Sequence, residues 1–93
     1  MDLDIDLLAE LCETPGVPGA EHRIREKILA TAEGLYDERI DDPMGNMILR
    51  RKSRSTSDTP PEKLLILCHM DEIGFMVSHV DKKGFVYVQP MGG

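Results

Sequence analysis

Apolar residues at Ile5, Leu8, Leu11 and Cys12 share one face at helical spacing, and Asp4 or Asp6 can cap the turn before them. This predicts a short first helix reaching about Glu13. Thr14-Pro15-Gly16-Val17-Pro18-Gly19 ends it, because proline cannot continue a helix and glycine frees the turn. A second stripe, Ile24, Ile28, Leu29, Ala32 and Leu35, predicts a helix over residues 20–33 with Gly34 as its stop. Glu21, Arg23, Arg25, Glu26 and Lys27 fall mostly on its wet side. The period then changes. Residues 36–40 and 47–51 alternate as strands around the turn Asp41-Asp42-Pro43-Met44-Gly45-Asn46. Residues 52–63 are polar, with Pro60-Pro61 near their end, and read as a surface loop. Residues 73–80 and 85–88 flank Asp81-Lys82-Lys83-Gly84, a hairpin with glycine where positive φ is needed.

Between loop and hairpin lies the most informative stretch. Leu64-Leu65-Ile66-Leu67-Cys68 is uniformly apolar and predicts a strand buried on both faces. It runs directly into His69-Met70-Asp71-Glu72. In α/β proteins the carboxyl end of such a strand opens onto a crevice where ligands are held. An imidazole there, with a carboxylate two residues on, suits a metal ligand and the group that orients it. The same two residues also suit a hydrogen-bonded histidine at a strand end, and the spacing alone leaves both readings open. Glu72 is either a further polar group of the crevice or a solvent-facing residue. His79 alternates with Phe75 and Val77 and reads as a half-buried ring facing a neighbouring strand. His22, among charges on the second helix, reads as exposed.

Ninety-three residues allow one small domain at most. A net charge of −6 argues against nucleic acid or an anionic membrane as partner. The basic group Arg50-Arg51-Lys52 with Arg54 reads as a solvated strand end. Met1-Asp2-Leu3-Asp4 lacks the basic and apolar regions of a secretory signal, and no stretch approaches a membrane span, so the cytoplasm is the expected compartment. Cys12 and Cys68 lack CxxC spacing and read as small buried hydrophobes. Pro90-Met91-Gly92-Gly93 is a turn signal with nothing after it, an ending that suggests a truncated product. One His and one Asp do not complete a catalytic metal site, which takes three protein ligands or more. HExxH, Gly-x-Ser-x-Gly and a phosphate-binding glycine loop are all missing from the sequence.

His69-Met70-Asp71-Glu72-Ile73-Gly74-Phe75-Met76-Val77, then Gly84-Phe85 and Gly92-Gly93, closely resembles the glutamyl and deblocking aminopeptidases, dinuclear zinc or cobalt enzymes that assemble into tetrahedral particles. The upstream order fits as well: a first helix, Thr14 to Gly19, a second helix with Glu21 and Arg25, then Asp42-Pro43-Met44-Gly45-Asn46. The resemblance implies an α/β fold, with residues 1–72 the amino-terminal part of a mixed-sheet catalytic domain. Residues 73–93 would then open an inserted β-rich, PDZ-like dimerisation domain. By the same resemblance His69 is the first ligand of a two-metal site, and Asp71 is the catalytic-site carboxylate that orients its ring. The two divalent ions would be zinc or cobalt, and this chain would supply one ligand. The implied activity removes amino-terminal residues from peptides by means of a water activated by two metals. The implied partners are peptide substrates and further copies of the enzyme, with no role for nucleic acid or membrane.

The family's remaining ligands and its general-base glutamate lie downstream of this stretch, so the chain alone is expected to be inactive. Two other readings stand beside this one. The chain could be a non-catalytic interaction or assembly module derived from the fold, or part of a related metallo-carboxypeptidase or deacylase. The segment from Asp71 to Val77 favours the aminopeptidases.

Overall fold

In the computed structural model, which describes residues 2–93, Asp4 Oδ1 accepts a hydrogen bond of 2.9 Å from the Leu7 N–H. Helix α1, Ile5–Glu13, starts behind that cap and ends where the Thr14 hydroxyl donates to the Glu10 carbonyl. Helix α2 is His22–Thr31. Its stop is at Gly34, with φ of +76°, after which the Leu35 N–H donates back to the Ala32 carbonyl. Met1, the first residue of the expected 1–72 segment, lies outside the described residues.

Strands β1, Glu38–Asp41, and β2, Met47–Arg50, pair antiparallel with Ile40 opposite Ile48. The turn between them is closed by Asp42, whose carboxylate accepts both the backbone N–H and the side-chain amide of Asn46. Strands β3, Gly74–Val80, and β4, Val86–Met91, form a second antiparallel pair. At its tip Asp81 Oδ1 accepts the Lys83 and Phe85 N–H groups, and Gly84 takes φ of +86°. The register slips between Val77 and His79, a bulge at which the Ser78 hydroxyl donates to the Tyr87 carbonyl. The α/β class therefore stands, built from two helices and two antiparallel two-stranded sheets.

The described chain divides into two units, one of residues up to Ile28 with His69–Gly93, the other Leu29–Cys68. In the first unit, among the described residues, Ile24 is the buried large apolar side chain, at 4% exposure. No helix among the described residues is long and apolar enough to cross a membrane.

Four expectations need correction. The run 64–68 is not a buried strand, since it has no ladder partner and Leu64 to Leu67 stand open to solvent. A strand exists by pairing, and β2 spends its ladder on β1 alone. Cys12 and Cys68 are exposed thiols, because the faces they sit on are themselves uncovered. His79 is exposed, although it does face the neighbouring strand. Pro90 and Met91 continue β4 opposite Phe75 and Gly74, where only a turn was expected. Proline is tolerated there because the strand lies at a sheet edge.

Two carboxylates fasten the second unit. Asp37 accepts the Lys52 N–H and an Arg54 N–H, and these bonds, that of Lys52 foremost, hold its carboxyl below the ordinary 3.8. Asp42 is likewise lowered from 3.8, first by the Asn46 side chain and then by the Asn46 N–H. A carboxyl depressed on folding stabilises above its unfolded value and loses that contribution as pH falls through its folded one. Hydrogen-exchange protection of the Asn46 and Lys52 amides is therefore expected to hold at neutral pH and to fall only on acidification below about 3.8. Protection lost already near pH 6 would contradict the assignment.

Candidate functional site

The turn that follows the apolar run is laid against the Pro-Gly segment after α1. Gly16 is buried, and its carbonyl accepts the Glu72 N–H at 2.8 Å. The close approach needs glycine on both sides. A Cβ on Gly16 would lie 2.8 Å from Ile24 Cγ2 and 3.4 Å from the Met70 carbonyl oxygen, and one on Gly74 would overlap Val17 Cγ1. Gly92, with φ of +78°, closes against Ile73 and Pro18.

On this base the chain bends at Met70 and returns Asp71 to the His69 ring. His69 Nδ1 lies 2.8 Å from the Asp71 carbonyl oxygen and 3.1 Å from Asp71 Oδ1. A carbonyl oxygen cannot donate, so Nδ1 must carry the proton. When the ring is neutral the lone pair is therefore on Nε2, and the ring is 84% exposed. This is the arrangement a metal-ligating histidine requires: one nitrogen pinned by oxygen acceptors, the other free to coordinate.

The structure thus brings together His69 and Asp71 and leaves the other candidates apart. Glu72 joins the turn through its backbone and has an exposed side chain. His22 is exposed on α2. His79 lies beside Tyr87, with ring centroids 5.7 Å apart and planes tilted by 38°. Among the described residues no three His, Cys, Asp or Glu side chains converge as a metal cluster. His69 fits one coordination position and the described residues do not complete the set.

Sequence reasoning missed two participants. The Asp71 carbonyl is the shorter of the two acceptors on the ring, and no residue type signals a backbone group. Gly16 was read only as a helix stop, although Pro-Gly-x-Pro-Gly also marks a backbone open to close approach.

A family profile described as M42 glutamyl aminopeptidase matches residues 45–93, just over half of the chain. The lysyl aminopeptidase of Pyrococcus furiosus is 37% identical over 92 residues, covering 98% of this chain and 25% of that protein. FrvX of Escherichia coli K12 is 34% identical over 91 residues, 98% of this chain and 24% of FrvX. A solved Thermotoga maritima structure, described as an endoglucanase, superposes with a TM-score of 0.77 at 43% identity, over 92% of this chain and 26% of that one. This chain belongs to the M42 glutamyl aminopeptidase family, a family of metallopeptidases. It spans about a quarter of the length of the curated relatives it matches.

Proposed function

We propose that the chain is the amino-terminal part of a metal-dependent aminopeptidase in which His69 binds one ion of a two-metal site. The His69 geometry carries this reading: a ring protonated at Nδ1 and held by Asp71, with Nε2 left without a partner from Asp71. Asp71 keeps the ring in that tautomer and raises the basicity of Nε2. When bound, the metal pair supplies Lewis-acid polarisation of a peptide carbonyl and a water made acidic enough to react at neutral pH. The residues of this chain orient one ligand and hold its proton on the far nitrogen. The other ligands come from sequence outside the described residues. Zinc or cobalt fits an imidazole donor, and peptides with a free amino terminus are the substrates.

The remaining assignments belong to the same proposal. Residues 1–72 serve the catalytic domain, and β3 and β4 open an inserted β-rich, PDZ-like domain that makes contacts between copies of the enzyme. The compartment is the cytoplasm. An endoglucanase activity fits the geometry less well, because glycoside hydrolysis asks for two carboxyl groups flanking the bond, whereas here a carboxylate is engaged with an imidazole.

The test is hydrolysis of amino-terminal residues from short peptides by the full-length protein, with and without chelator. Chelation should abolish turnover and zinc or cobalt restore it. The same peptides blocked at the amino terminus should be inert. Turnover indifferent to chelator would sink the proposal.

A further inference from the structure

Glycine weakens a strand, and where it occurs it often marks the close approach of another part of the chain. Gly74 opens β3, and its φ is not positive, so its backbone conformation does not call for glycine. The neighbour does. A Cβ on Gly74 would lie 2.4 Å from Val17 Cγ1, with Val17 Cβ the next atom at 3.8 Å. Neither side is free to withdraw. Valine is stiff about its one side-chain torsion. The Val17 backbone is tied on both flanks, by the Gly16 carbonyl to the Glu72 N–H and by its own carbonyl to the Ala20 N–H at 2.9 Å. Gly74 is set opposite Met91 in the β3–β4 ladder. Pro18 completes the seat, since a Cβ on Gly92, just past β4, would lie 3.4 Å from Pro18 Cγ. Both strands of the hairpin thus meet the chain at residues 17 and 18.

The contacts of residues 69–74 alternate. The Met70 carbonyl, the Glu72 N–H and Gly74 adjoin residues 16 and 17, whereas His69 and Asp71 meet each other. An extended chain held at every second residue turns the residues between to its other side. The bond from Glu72 to Gly16 fixes one point of this segment and leaves it able to swing about that point. The Val17 contact, two residues further on, removes that freedom.

We infer that Val17 is a positioning residue for metal ligation. It seats Gly74, and so holds the segment that carries His69 and Asp71 at its downstream end. The inference rests on His69 as a metal ligand, and it adds a residue that touches neither the ring nor the metal.

The test is the affinity of the full-length protein for cobalt, by competition with a chelator, with the thermal midpoint of each variant beside it. Gly74→Ala should weaken cobalt binding about tenfold or more, the loss usual when a ligand's support is disturbed. Val17→Ala removes Cγ1 and leaves Cβ, so the methyl added at position 74 would meet Val17 Cβ at an ordinary 3.8 Å. The double variant should therefore recover most of the lost affinity. Val17→Ala alone introduces no clash, so it carries the test even where Gly74→Ala does not fold, and it should weaken cobalt binding several-fold. Gly84→Ala is the control for stability. Its φ of +86° strains an alanine, at the far end of the hairpin and with nothing within 4 Å of the new methyl. It should lower the thermal midpoint and leave cobalt affinity unchanged. Cobalt affinity at the wild-type level in both Val17→Ala and Gly74→Ala would overturn the inference, as would a double variant no better than Gly74→Ala. Undiminished cobalt binding by His69→Ala would instead overturn the ligand reading beneath it.

Discussion

Replacing His69 by alanine is expected to remove metal from the site and to abolish peptide hydrolysis in the full-length protein. A lost ligand forfeits several kcal/mol of transition-state stabilisation, roughly a thousandfold or more in rate. Asp71→Asn should do far less. The Asp71 carbonyl oxygen, 2.8 Å from Nδ1, is nearer than Oδ1 at 3.1 Å and survives the substitution. The ring stays pinned in the same tautomer, and only the added basicity from a full negative charge is lost. Disturbing such a partner costs about 10–100-fold in metal affinity, and the retained carbonyl places Asp71→Asn near the lower end. Metal content by elemental analysis and kcat/KM on a short peptide measure both effects. His69→Ala protein with full metal content would show that the ring is only a structural hydrogen-bonding group.

The comparison between those two variants shows how much of the site the sequence carried. His-x-Asp after an apolar run gave the pair, since spacing alone brings the Asp71 carboxylate within reach of the ring once the chain turns at Met70. It could not give the carbonyl contact, because backbone groups leave no mark on composition. Helices and hairpins were legible wherever a local cause acts: Asp4 capping α1, Gly34 ending α2, Asp81 and Gly84 shaping the second hairpin. The run 64–68 was misread for the complementary reason. Its residues state that they belong in a sheet interior, but burial is a property of what lies alongside, and no neighbouring strand pairs with them here. Cys12 and Cys68 were misjudged in the same way.

Gly16→Ala is expected to destabilise the first unit and to loosen the His69 turn together. Gly16 does not have positive φ, so the cost is steric and not conformational. The new Cβ would come 2.8 Å from Ile24 Cγ2 and 3.2 Å from Ile24 Cβ, and a side chain at 4% exposure has little room to withdraw. Overpacking of this kind costs about 1–3 kcal/mol. The Gly16 carbonyl also receives the Glu72 N–H, so any backbone shift that relieves the clash displaces the loop carrying Asp71. Ile24→Ala, which empties the same space, should cost about 2–5 kcal/mol. The two losses should not add. With Cγ2 gone the alanine methyl at position 16 occupies part of the vacated volume, so the double variant should be more stable than the sum of the singles predicts. Denaturant unfolding of the four proteins gives the coupling, and the His69 ring nitrogen shifts report whether Nδ1 still donates to Asp71. Simple additivity, with ring shifts unchanged in Gly16→Ala, would mean that the glycine and the isoleucine do not hold the turn in place.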